Sequence, residues 1–209
     1  MAEVVNSPVY MVTHSLLSSW LYAMRDNPFE DATTERDAFA EFMQVLRREP
    51  TEPTDAMLDG IEFEDLVTDI IRGGGDTEHR WFPAAERVAK KLGHSVLQYK
   101  AKKVVDIDGI KVLLYGRLDA LGAGAISDIK FSSKYERGKY IDSTQHPMYM
   151  EIVPEAEVFR YIISSGTDVW TEEYRREETP DIIPIVRDFF SWLHATSRWG
   201  VFTEHWVAL

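Results

Sequence analysis

SVLQYKAKKVVDIDGIKVLLYGRLDAL (residues 95–121) decides the fold of this chain. It is rich in β-branched and aromatic residues, and Asp108-Gly109 stands between two strand-like runs, which signals a hairpin. A second turn, Gly122 to Gly124, leads into AISDIKF, a further short strand. Upstream, the apolar period is helical. HSLLSSWLYAMR spaces Leu16, Leu17, Trp20, Leu21 and Met24 for one face, and Phe39, Phe42, Met43 and Leu46 form the next stripe. Between them lies a turn-like DNPFED, and Thr34 with Asp37 reads as a capping box. After the polar link REPTEPT, a third helix near 55–72 buries Phe63, Leu66, Val67 and Ile70 and is stopped by Gly73–Gly75. PAAERVAKKLG is a fourth, short helix.

Downstream, Ser143 or Thr144 can cap a helix with Pro147 in its first turn. EVFRYIISSG and DVWTEEYRRE read as two strands around Gly166, and a last helix near 181–195 aligns Ile182, Val186, Phe189 and Leu193. The expected architecture is α/β: a mixed β-sheet core flanked by helices, with a helical N-terminal extension over 1–54. A single domain of 209 residues is expected, its motif-bearing core at 55–165, with the last strand, helix and tail at 166–209.

Composition narrows the function. A hydrophobic fraction of 44% with 12% aromatics belongs to a globular protein. The absence of cysteine removes disulfides, thiolate nucleophiles, cysteine zinc sites and iron–sulfur clusters. No apolar run reaches the ~18–20 residues of a membrane span, and MAEVVNSPVYMVTHSLL lacks the pattern of a secretory signal. A soluble, cytoplasmic protein is therefore expected. The formal charge of −12 conceals a split, since residues 100–140 carry nine Lys/Arg against five acids while the remainder carries 14 against 30. Such a basic strip fits an anionic ligand met at one place, although exposed strand lysines give the same pattern.

Three motifs carry chemistry. GRLDAL (116–121) puts Asp119 at the end of a hydrophobic strand, and ISDIKF (126–131) puts Asp128 and Lys130 two apart, hence on one face. QHPMY (145–149) puts Gln145 and Tyr149 four apart on the next helix. Carboxylates from neighbouring strands can converge on one hard cation, and an ammonium beside them can hold an attacking water or stabilise the charge of phosphodiester cleavage. Each element alone has a plainer reading. Asp119 can close a turn, Asp128 and Lys130 can be an exposed pair, and Gln145 with Tyr149 occurs on many helices.

Taken in order, G-x-x-D, D-x-K and Q-x-x-x-Y resemble the PD-(D/E)XK nuclease superfamily, in particular its RecB-like exonuclease branch. The resemblance covers about residues 55–165, and the opening SPVYMVTHSLLSSWL is similar to a short start motif of that branch. It implies a restriction-endonuclease-like core and a Mg²⁺- or Mn²⁺-dependent deoxyribonuclease, an exonuclease of recombination, repair or phage DNA processing. Asp119, Asp128 and the Ile129 carbonyl would bind the metal, Lys130 would position or activate water, and Gln145 and Tyr149 would steady the lysine or the scissile phosphate. A further ligand is implied at the end of a G-x-x-x-[HE] pattern, here Gly60 to Glu64. Glu62 competes, but its helical neighbours Asp59, Asp65 and Asp69 mark a solvated face, whereas Glu64 has Met57, Gly60, Ile61 and Ile71. Glu64 is favoured.

Arg117, Lys134 and Arg137 are the nearest bases for DNA phosphates, and His146 is either a phosphate contact or a solvent-facing histidine. The chain departs from the branch in lacking cluster cysteines and in carrying Glu64 where many members have histidine. It has no P-loop either, so unwinding would fall to a partner such as a helicase, beside a recombinase or single-strand-binding protein. The rival readings are a non-catalytic nucleic-acid- or protein-binding module with the same fold, and a metal-free structural partner. Trp192, Trp199, Phe202 and Trp206 read as core and tail packing, and His79 and His94 as structural or exposed.

Overall fold

The computed structural model describes residues 7–25 and 37–208. The chain is α/β, with mixed parallel and antiparallel strands and, among the described residues, seven α-helices. It divides into two compact units, each built from separated segments: 1–51, 102–116 and 180–209 in the first, 52–101 and 117–179 in the second.

In the first unit, β1 (Val9–Thr13) pairs in parallel with Lys111–Tyr115 of β3 (Ile110–Gly122). Thr13 then caps α1 (His14–Met24), its Oγ1 accepting the Leu16 N–H at 3.3 Å. Asp37 caps α2 (Ala38–Leu46) by accepting from the amides of Phe39 and Ala40. It therefore acts as the cap itself rather than as the far half of a box, and Thr34 and DNPFED lie outside the described residues. Helices α6 (Ile183–Ala195) and α7 (Trp199–His205) complete the unit, whose fully buried side chains include Leu16, Leu17, Phe42, Leu46, Phe189 and Phe202. Trp206 is buried as well and donates from Nε1 to the Leu46 carbonyl, so the late aromatics here are packing.

The hairpin of β2 (Val96–Ile107) and β3 turns at Asp108 and Gly109, whose φ values of 54° and 85° are both positive, as a two-residue primed turn requires. In the second unit the strand order is β3, β4 (Ala125–Phe131), β5 (Val158–Ser164), β6 (Val169–Arg175). The β4–β5 pair is parallel and its neighbours are antiparallel. A parallel pair needs a crossover, and the segment 132–157 with α5 (Gln145–Ile152) supplies it. One face of this sheet is apolar. Ala120, Ile129, Phe131 and Ile162 pack with Phe63, Leu66 and Val67 of α3 (Asp55–Ile71) and with Ala84, Ala85, Val88 and Leu92 of α4 (Phe82–Leu92).

Beside its helices the N-terminal segment contributes β1; that five-residue strand shows no alternation and finds its partner some hundred residues later. β6 pairs with β5 along its whole length and belongs to the second unit. α7 has no counterpart among the helices expected from the sequence. None of the helices among the described residues is long and apolar enough to cross a membrane.

Gly166 tests the packing of the second unit. Its φ is +90°, and a Cβ there would meet the Trp81 ring at 2.6 Å. Gly166→Ala is expected to lower unfolding free energy by more than about 1 kcal/mol in denaturant titrations, through backbone strain and the clash together.

Candidate active site

The β3–β4 ladder runs from Gly122–Ala125 to Ala120–Ser127 and stops. The next residues outward are Asp119 on β3 and Asp128 on β4, so two carboxylates stand where the strands part. The amide of Ile129, no longer matched to a β3 carbonyl in that ladder, donates to Asp119 Oδ2 at 2.8 Å. Asp128 is 3% exposed and sits beside Tyr161 of β5 in the parallel ladder. Its Oδ1 accepts from the Gln145 amide, and its Oδ2 has the Lys130 ammonium at 2.7 Å and no hydrogen-bond partner beyond that ion pair. Side-chain alternation thus sends Ile129 and Phe131 into the helix-covered core and Asp128 and Lys130 to the other face.

Glu64 projects from α3, which packs along β4. It is half-buried and accepts a hydrogen bond from Gln98 Nε2. Electrostatics ties these groups into one cluster. Burial, then the charges of Asp128 and Glu64, push Asp119 up to about 8 from an ordinary 3.8. Burial also raises Glu64, against the Gln98 hydrogen bond and with help from Asp128. For Lys130, burial works against the charged form, but Asp128 and Asp119 outweigh it and hold the ammonium above its usual range. Three acids therefore share one partly buried space with one firmly charged lysine.

The donor set is all oxygen, which suits a hard divalent cation, and its repulsion is what such an ion would relieve. Glu64, Asp119 and Asp128 fit that role, with Asp128 Oδ2 met only by the Lys130 ammonium. Among the described residues no three acids or imidazoles are already drawn together around a common point. Asp119 and Asp128 hold the Ile129 amide, Gln145 and Lys130 instead.

The other expected site residues fall out variously. Glu62 is the exposed one, 52% open at its side chain, and takes a 2.8 Å bond from His79 Nε2. The apolar neighbours that favour Glu64 in the sequence are nevertheless not what buries it, since Met57 and Ile61 are 54% and 53% exposed. Gln145 holds Asp128, the partner of the lysine, and the Tyr149 hydroxyl donates to the Arg117 carbonyl at 3.1 Å. His146 is neither solvent-facing nor placed to meet a phosphate. It is 1% exposed, stacked 4.3 Å from Tyr174, and burial drives it down to about 4, so it is neutral. Arg117, Lys134 and Arg137 are exposed, and Arg117 bears electrostatically on Glu64.

Two groups escape the sequence reading. Glu172 of β6 is a buried carboxylate that accepts from the hydroxyls of Tyr135 and Tyr174, at 2.6 and 2.8 Å, and from the Gly138 amide. It pins the segment carrying Lys134, Arg137 and Lys139, and beside it lies a cleft of about 540 Å³ lined by Lys91, Arg137 and Gly138. Gln98 is the other. Its φ of 54° is left-handed at the third residue of β2, a conformation costing on the order of 1 kcal/mol for a non-glycine residue. A lone amide in VLQYKAKK leaves no pattern to read.

No protein-family model and no curated protein sequence matches the chain. Among solved structures it is similar to the crystal structure of SSO0001, at 14% identity and a TM-score of 0.50, over 89% of this chain and 77% of that one. At such identity the similarity is one of fold.

The raised Asp119 has a stability consequence. Between about pH 4 and 8 it is protonated in the fold and ionised in the unfolded chain, so unfolding releases a proton. Without divalent cations, the stability due to this group is present at acid pH and lost as pH rises toward 8. Melting temperatures across pH 4–9 are expected to show that decline, and Asp119→Asn to flatten it.

Proposed function

We propose that the protein is a Mg²⁺- or Mn²⁺-dependent deoxyribonuclease, an exonuclease of DNA recombination, repair or phage DNA processing. The observation that carries this reading is the pair Asp119 and Asp128 at the parting of β3 and β4, with Lys130 ion-paired at 2.7 Å and with the charges of Glu64 and Asp119, and of Asp128 and Glu64, bearing on one another. The order and spacing of the motifs, which resemble those of RecB-like nucleases, support it.

A divalent cation at these carboxylates supplies charge for the phosphate and lowers the pKa of water. Glu64, Asp119 and Asp128 would hold it, with the Ile129 carbonyl as a further oxygen. The chain's own contribution follows from its contacts. Asp128 is fixed from two sides, Gln145 on Oδ1 and Lys130 on Oδ2, so its carboxylate plane is set before substrate arrives. Lys130, 29% exposed at its side chain, can meet solvent while keeping its full charge. It is placed to orient an attacking water or to neutralise the charge that builds on the phosphoryl oxygens. Tyr149, bonded to the β3 backbone at Arg117, holds the strand that carries Asp119.

End-labelled single- and double-stranded DNA, incubated with and without Mg²⁺ or Mn²⁺, tests the proposal. Cation-dependent cleavage is expected, and Lys130→Ala should lose ~10²–10³ in rate while keeping its fold and cation affinity. Near-normal cleavage by that variant removes the lysine from the mechanism. No cleavage by the wild-type chain on any DNA, with binding retained, favours the non-catalytic module.

DNA is proposed to lie along Arg117 and the 132–144 segment. In Ca²⁺, to suppress turnover, log affinity should fall with log salt by about 0.7–0.9 per phosphate contacted. Lys134→Glu with Arg137→Glu should make that slope shallower by about two contacts without altering cation affinity. An unchanged slope would place the DNA elsewhere.

A further inference from the structure

Gln98 is an uneasy residue by every criterion of stability. Its backbone is left-handed inside β2, where ordinary strand geometry would be unstrained. The distortion disturbs the facing of the strand: Ala101 is buried, Tyr99 two residues earlier is exposed, and the neighbours Leu97 and Gln98 are both turned partly inward. The side chain so placed makes a single hydrogen bond, from Nε2 to the Glu64 carboxylate, while its Oε1 is buried and has no partner. A glutamine retained for the fold would satisfy both ends of its amide, because a buried polar atom left unpaired is destabilising. Here the backbone is strained and the acceptor is orphaned, and the one hydrogen bond that results goes to a carboxylate of the cluster.

We propose that Gln98 is a positioning residue of the Glu64–Asp119–Asp128 site: its amide N–H holds the Glu64 carboxylate toward the two strand aspartates against their mutual repulsion. The inference rests on the divalent-cation reading above and deepens it. Glu64 sits on a helix and can choose among staggered χ1 rotamers; the repulsion from Asp128 favours those that turn it away. One donor on a rigid strand opposes that. The amide is also the right chemistry for the task, since a lysine or arginine there would neutralise the acid and compete with the cation, whereas a neutral donor orients it and leaves its charge available.

The experiment compares Gln98→Gly, which suits a positive φ and deletes the amide, with Gln98→Met, which keeps the length but cannot donate. Mn²⁺ alone is titrated calorimetrically into the full chain, and melting temperature is measured without metal. Both variants are expected to bind Mn²⁺ about tenfold more weakly, the lower end of the range for losing a group that orients a ligand. Gln98→Gly is expected to melt at the wild-type temperature or above. In the Glu64→Gln background, Gln98→Gly should cause no further loss. Unchanged Mn²⁺ affinity in Gln98→Gly, with a lowered melting temperature, makes the residue structural and overturns the inference. A loss confined to Gln98→Met, or a full additional loss in the Glu64→Gln background, also overturns it. Absence of any Mn²⁺ binding that Asp128→Asn abolishes overturns the cation reading itself, which separates the two failures.

Discussion

Three carboxylates in one half-buried space repel one another, and much of the second unit can be understood as the means of keeping them there. Desolvation is the larger part of the strain: burial pushes Asp119 up to about 8, and the charges of Asp128 and Glu64 add to it. Each acid is restrained by donors of its own. The Ile129 amide holds Asp119, Gln145 and Lys130 hold Asp128, and Gln98 holds Glu64. All of these groups except Gln145 belong to strands, and Gln145 opens the helix that follows β4. Rigid elements are what such restraint requires, because a loop would yield before the carboxylates did.

The sheet supplies that rigidity through its two faces. On β4 the alternation is Ser127, Asp128, Ile129, Lys130, Phe131; Ile129 and Phe131 lock into the core under α3 and α4, and the intervening residues are thereby fixed on the far side. Slipping the strand by one residue would bury Asp128 and Lys130 among Phe63, Val67 and Val88, at a cost the fold could not bear. The precision of the acidic site is therefore inherited from the apolar one. The parting of β3 and β4 beyond Ala120–Ser127 adds the remaining feature, a gap in the ladder where a side chain rather than a carbonyl meets the Ile129 amide.

What can be read from the sequence follows the same division. The helices other than α7, the Asp108-Gly109 hairpin and the strands at 125–131, 158–164 and 169–175 all announce themselves through local period and turn chemistry. So do Asp119, Asp128 and Lys130, whose spacing fixes their faces once the strands are known. The contacts that escape are non-local. β1 depends on a parallel partner at Lys111–Tyr115, and Glu172 acquires its meaning only from Tyr135, Gly138 and Tyr174 converging on it. His146 misleads for a related reason: on a helix of only eight residues almost every position is buried, and no polar face remains to bring it to solvent.

Gln98 marks where local rules and the site disagree. A strand of this composition prefers extended backbone throughout, yet one residue is held left-handed, with an unsatisfied oxygen, next to an acid of the cluster that takes its hydrogen bond. Departures of this kind persist only when the surroundings over-determine them, and they concentrate where function opposes stability. Glu172 offers the contrast within the same unit. It too is a buried acid, but it has four protein donors, and its pKa lies below the usual carboxylate value: burial pulls it upward and the hydrogen bonds from the Tyr135 and Tyr174 hydroxyls and the Gly138 and Tyr140 amides outweigh that. A carboxylate whose valences the protein has filled is part of the scaffold. Glu64 and Asp119, each with one donor and a raised pKa, are only partly satisfied by the fold, and the free energy left uncompensated there is available to whatever cation binds.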